Sequence, residues 1–183
     1  MSCTGISMKQ LTLLLMTLAV AIGAPPAVGE RAPEFTLMNL DGAPRKLSDA
    51  VKQGPVVLVV LRGFPGYQCP LCNRQVMELV KSGPAFAAAG ARVVMVYPGP
   101  KDNAQTKAQE FVMDKNLPKH FELLIDPDYT MTNLYNLRWD APKETAYPST
   151  FLLDGKGMIT FAKVSNSHGG RTTAAEILAA LGR

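Results

Sequence analysis

The chain has 183 residues, 47% hydrophobic and 19% charged, which suits one compact domain with its own core. Three cysteines are too few for a disulfide framework, and a domain of this size needs none. The net charge is only +4 and no run of Lys and Arg exceeds two residues, so the basic stripe that nucleic-acid binding requires is absent.

At the N-terminus, "MKQLTLLLMTLAVAIGA" sets Lys9 before an apolar run that closes on small residues, the layout of a secretory signal peptide. The run from Leu11 to Ala24 is shorter than the roughly 20 apolar residues that span a bilayer. We therefore expect a signal peptide over residues 1–23, cut after Ala21 or Gly23, and a single domain over 24–183. Translation starts at Met1 or Met8, and Cys3 precedes the apolar run, so the mature chain keeps Cys69 and Cys72. The expected location is periplasmic or extracellular, with membrane contact confined to the signal segment.

"FTLMNLDGAPRKL" alternates around Asp41-Gly42 as a short hairpin does. "PVVLVVL", residues 55–61, reads as a strand buried on both faces. Leu71, Val76, Leu79 and Val80 then predict a helix of three to four turns from Cys69, stopped by Gly83-Pro84. A second buried strand covers 91–98 and a second helix 102–116, with Ala104, Ala108, Phe111 and Val112 inward. A strand over 121–126, a short helix around 129–137 and a hairpin turning at Asp154-Gly155-Lys156-Gly157 follow. The last helix runs through "TTAAEILAALGR", capped by Thr172 or Thr173 with Glu176 placed for a capping box. The fold class is α/β, a central mixed β-sheet flanked by helices.

Cys69 and Cys72 sit where the first buried strand gives way to a helix, the side of an open α/β sheet where sites form. A helix N-terminus stabilises a thiolate, which makes Cys69 the expected nucleophile. Pro70 suits the first turn, and Cys72, one turn on, is positioned to close a disulfide as the resolving thiol. Two thiolates with a distant histidine also make a copper(I) site, whereas zinc would need two more Cys or His ligands.

"GERAPEFTLMNLDG", "RGFPGYQCPLC" and "YPSTFLLDGKG" resemble the peroxiredoxin-like branch of the thioredoxin-like superfamily, the alkyl hydroperoxide reductase/thiol-specific antioxidant family, over residues 29–183. The resemblance implies a thioredoxin-like fold and an antioxidant or oxidoreductase working through a Cys69-Cys72 dithiol/disulfide couple, with no metal and no organic cofactor. It departs from the family pattern at three places. Arg62 and Gly66 stand where peroxiredoxins carry a Pro and a peroxide-orienting Thr, and Pro148 stands where they carry an Arg. Pro148 instead resembles the cis-proline with which thioredoxin-type oxidoreductases dock a substrate backbone. The resemblance thus favours thiol-disulfide exchange, with thiol-dependent peroxide reduction through a Cys69 sulfenic acid as the alternative. Copper(I) chaperones of the same fold differ in placing three residues between their cysteines.

Four further residues are candidates for tuning the site. Arg62 either sets the potential at the thiolate or caps its strand on the surface, and Tyr67 either donates a hydrogen bond or covers the disulfide. "SNSHGGRTT" follows the last strand, which in this fold ends on the active-site side, so His168 and Arg171 are placed to approach Cys69. His120 is read as surface, and Trp139 and Tyr135 as packing residues. The expected partners are a protein thiol, disulfide or peroxide as substrate and a thioredoxin-like or membrane thiol relay as electron donor.

Overall fold

The computed structural model describes residues 23–182, and the expected signal segment lies outside them apart from Gly23. β1 (Thr36–Asn39) and β2 (Pro44–Lys46) form the hairpin turned at Asp41-Gly42, and α1 (Leu47–Val51) follows. β3 (Val56–Val60) leads to α2 (Pro70–Lys81) and α3 (Gly83–Ala88), then β4 (Arg92–Gly99) and α4 (Ala104–Val112). β5 (Phe121–Pro127), α5 (Thr130–Leu134), β6 (Ser149–Leu153), β7 (Ile159–Val164) and α6 (Ala174–Leu181) complete the domain.

The seven strands form one mixed sheet in the order β2-β1-β5-β4-β3-β6-β7. β3, β4 and β5 are parallel, while β6 runs antiparallel to β3 and β7 antiparallel to β6. Because side chains alternate along a strand, β3 feeds two cores. Val57 and Val59 meet Val76 and Leu79 of α2, Phe111 of α4 and Ile177 of α6. Val56, Leu58 and Val60 meet Leu47, Met131, Tyr135 and Phe151 on the other face. All five β3 residues are fully buried, each contributing about 1.5–3 kcal/mol of apolar burial, so the strand is a rigid base for the loop that carries the cysteines.

The structure refines several boundaries. Gly83-Pro84 ends α2 but also opens α3, because Pro is tolerated in a first helical turn. α4 is shorter than expected: Asn103 adopts a left-handed φ of 66° before it, and the Lys115 amine donates to the Phe111 carbonyl at its end. At α6 the cap is Thr173, since only from there does Glu176 fall at the third helical position and complete the box. The expected likeness of Pro148 to a cis-proline is corrected: no described peptide bond is cis. Tyr147 donates to the Leu137 carbonyl and Ser165 to the Pro148 carbonyl, holding the chain extended as it joins β6.

This topology sets the position of the active-site loop. β7 is parallel to β3, so the segments leaving the two strands come out at the same end of the sheet. Between β3 and α2, Gly63 has φ +72° and packs against Pro98, where a Cβ would overlap the carbonyl oxygen; Gly66 has φ +110° with open space around it. Gly63→Ala should therefore lower the melting temperature of the reduced protein by about 10 °C or more, against about 3–6 °C for Gly66→Ala. Equal shifts in thermal denaturation would show that the Pro98 contact does not hold the loop.

Candidate active site

Pro70 is the first residue of α2 and Cys69 its N-cap, with extended backbone and its sulfur in the place a capping oxygen takes. The Cys72 amide donates to Cys69 Sγ at 3.4 Å. Cys69 is 3% exposed and Cys72 is fully buried, and both carry free thiols. Their protonation is pushed apart. A hydrogen bond from the Cys72 thiol holds the Cys69 pKa well below the ordinary thiol range, against the cost of burial, with help from the Cys72 amide, Arg171 and Arg62. Burial pushes the Cys72 thiol up, and its bond to Cys69 adds to the rise. The two thiols thus differ in acidity, with Cys69 the more acidic.

Arg171, in the segment after β7, brings Nη2 to 3.7 Å from Cys69 Sγ. Its Nη1 donates to Gln75 Oε1 at 3.0 Å and its Nε to the His168 carbonyl at 3.0 Å, while Gln75 donates to the Thr172 carbonyl at 3.3 Å. These bonds tie that segment to α2 and fix the guanidinium over the sulfur. Arg62 is 2% exposed, which overturns the surface-cap alternative. Its Nε donates to Glu144 Oε2 at 2.6 Å, its Nη2 to the Lys143 carbonyl at 2.7 Å and its Nη1 to the Tyr67 hydroxyl at 2.8 Å. Tyr67 therefore accepts a bond from Arg62, with its ring half exposed beside the loop.

His168 goes elsewhere than expected: its Nε2 lies 2.8 Å from Glu144 Oε1 and its ring packs on Trp139. Trp139 stacks on Tyr147 with centroids 4.7 Å apart. Burial alone would raise the Glu144 pKa, but the bonds from Arg62 and His168 hold the carboxyl below its ordinary value. Pro148 is buried just ahead of Ser149, which pairs with Val60 at the end of β3. Before Cys69, Gln68 accepts from the Tyr97 hydroxyl at 2.6 Å and donates to the Lys107 carbonyl at 2.9 Å, anchoring the loop to β4 and α4.

Sequence reasoning passed over Glu144, Gln75, Gln68 and Tyr97. Glu144 sits in "DAPKETAYP", where no spacing or periodicity marks a carboxylate that will meet Arg62 from 82 positions away. Among the described residues no cluster of three or more His, Cys, Asp and Glu side chains is arranged to hold a metal ion.

The site is thus a buried N-cap thiol with a second thiol one turn along, at the end of a central parallel strand. The AhpC/TSA family model matches residues 28–162. The chain belongs to the AhpC/TSA family. The methylamine utilization protein MauD of Methylobacillus flagellatus is 28% identical over 81% of this chain, which spans 63% of that protein's length. Thiol-disulfide oxidoreductase ResA of Geobacillus thermodenitrificans is 27% identical over 81% of this chain and 82% of its own. Among solved structures, peroxidoxin BcpB from Mycobacterium tuberculosis superposes with a TM-score of 0.69 at 23% identity, over 84% of this chain and 95% of that one, which shows the shared fold. By family this chain is a thiol oxidoreductase with a thioredoxin-like, peroxiredoxin-like architecture.

The cation beside Cys69 stabilises the thiolate over the thiol, so its loss should disfavour the reactive form. Arg171→Ala is expected to move the pH midpoint of Cys69 carboxymethylation by iodoacetamide upwards and to slow the reaction at pH 6 several-fold. An unmoved midpoint in a variant that still folds would remove Arg171 from the electrostatics of the thiol.

Proposed function

We propose that this AhpC/TSA-family protein is an exported thiol-disulfide oxidoreductase that cycles Cys69 and Cys72 between dithiol and disulfide. The observation that carries the reading is the pair itself, with the Cys72 amide 3.4 Å from the Cys69 sulfur at a helix N-terminus and opposite shifts in thiol acidity. The Cys69 thiolate attacks one sulfur of a substrate disulfide, a Cys69–substrate disulfide forms, and the other sulfur leaves and takes a proton. Cys72 then loses its proton, attacks Cys69 Sγ and expels the second substrate sulfur. Two electrons pass from the protein to the substrate, and the Cys69-Cys72 disulfide remains for a thioredoxin-like or membrane thiol donor to reduce. The balance closes without a metal or organic cofactor.

Export rests on the leader-like pattern of residues 1–23, with 24–183 as the working domain in the periplasm or outside the cell. Among the described residues no helix is long and apolar enough to cross a membrane. Pro148, at the head of β6, is the residue to which we assign docking of the substrate backbone, and Arg62, Tyr67, Arg171 and, through Glu144, His168 are assigned the tuning of the thiol.

One observation favours peroxide reduction as a second reading. Arg171 holds a guanidinium within 3.7 Å of Cys69, and such a cation can stabilise an oxygen leaving group even without the threonine that Gly66 replaces. Attack on the terminal peroxide oxygen would then give a Cys69 sulfenic acid and an alcohol or water, and Cys72 would condense with it, releasing water. Copper(I) delivery has less support, because His168, the histidine that would join the two thiols, is engaged with Glu144.

Stopped-flow oxidation of the reduced protein by a protein disulfide and by hydrogen peroxide separates these readings. We expect disulfide exchange at least tenfold faster than peroxide consumption, loss of both in Cys69→Ser, and a trapped mixed disulfide in Cys72→Ser. Fast peroxide consumption with slow exchange would reverse the assignment, and failure at both would return copper binding to consideration.

A further inference from the structure

Beside Cys69, α2 and the segment after β7 enclose a groove of about 240 Å³. Leu71, Arg74 and Glu78 of α2 lie on one wall and residues 168–173 on the other. The groove reaches the thiol through Arg171, which lines it and touches the Cys69 sulfur. A substrate with one sulfur at Cys69 would lay its neighbouring groups here.

The charges in this groove are unevenly used. Arg171 donates its remaining contacts to neutral partners, the Gln75 amide oxygen and the His168 carbonyl. Arg74 is exposed and makes no ion pair among the described residues. Of the nearby acids, Glu176 caps α6 and pairs with Lys163, and Glu144 takes Arg62 and His168. Glu78 lines the groove and accepts from the Ala174 amide at 2.8 Å, which leaves its charge in place. Two cations without an ion-pair partner therefore face, with one carboxylate, a space of net positive charge that is smaller than a drug-sized pocket. Exposed Leu71 adds a small apolar contact at its edge.

We propose that the groove selects small disulfides whose sulfurs are flanked by carboxylates, with Arg74 as the residue that reads their charge. This rests on the disulfide-exchange reading above and assigns its substrate class. The chemistry is unchanged: the Cys69 thiolate opens the small disulfide, and Cys72 expels the second acidic thiol as the Cys69-Cys72 bond forms. Arg74 takes no part in bond making and acts by attraction across the groove, so its effect must weaken with salt.

The test is the rate at which three disulfides oxidise the reduced full chain at low ionic strength: anionic oxidised glutathione, neutral hydroxyethyl disulfide and cationic cystamine. Arg74→Glu should slow oxidised glutathione about three- to tenfold and speed cystamine by a similar factor, while hydroxyethyl disulfide keeps its rate. Arg74→Ala should give the same signs at smaller size, and both effects should fade in 0.5 M salt, roughly where the Debye length falls to about 4 Å. A change common to all three disulfides, or rate ratios that Arg74→Glu leaves alone, would overturn the groove assignment while leaving thiol-disulfide exchange standing. Failure of all three to oxidise the wild-type protein, while a protein disulfide still does, would overturn this inference alone; failure of the protein disulfide as well, with peroxide still consumed, would remove the disulfide-exchange reading and this inference with it.

Discussion

The amide of Cys72 points along the axis of α2 at the sulfur of Cys69, and the rest of the site is built around that contact. A capping oxygen would satisfy the helix end equally well, but sulfur in that position also gains a preference for its anionic form, because the unpaired amides and the positive end of the helix favour negative charge. The cost is the near-burial of an ionisable group. It is offset by directed donors, namely the Cys72 thiol and amide and the cations of Arg171 and Arg62.

The two arginines serve the thiol differently. Arg62 is locked into the wall by Glu144, Lys143 and Tyr67, which between them satisfy its buried guanidinium. Arg171 is held by neutral partners, so more of its charge is felt at the sulfur and in the adjoining groove. Both depend on the sheet. Arg62 follows β3, and its carbonyl accepts from the Thr145 hydroxyl, while Arg171 arrives through β7, which the β6 hairpin turns parallel to β3.

The order of elements was legible along the chain because each carries its own periodicity: the continuous apolar run of β3, the spaced apolar residues of α2 and α4, the Asp-Gly turns and the Thr-to-Glu cap of α6. α3 escaped because Gly83-Pro84 signals a stop and a start with the same residues. At the site, the Cys69-Cys72 pair and the segment carrying Arg171 stood out, one by spacing and the other by topology. Glu144 did not, since its partner lies in a different loop and nothing local requires an acid there. His168 was visible as a candidate, but its direction was not: Trp139 and Glu144 draw the ring away from the sulfur.

The sequence by itself determined the fold class, the strand-to-helix junction with its two thiols, and the choice of Cys69 as the helix-capping sulfur, because each follows from residues within a turn or two of one another. Tertiary structure alone decided how acidic that sulfur is, which arginine faces it, and which charges are left to meet a substrate. Those properties depend on distances between segments roughly a hundred residues apart, such as Cys69 and Arg171. Electrostatic energy follows distance through space and burial, neither of which separation along the chain specifies.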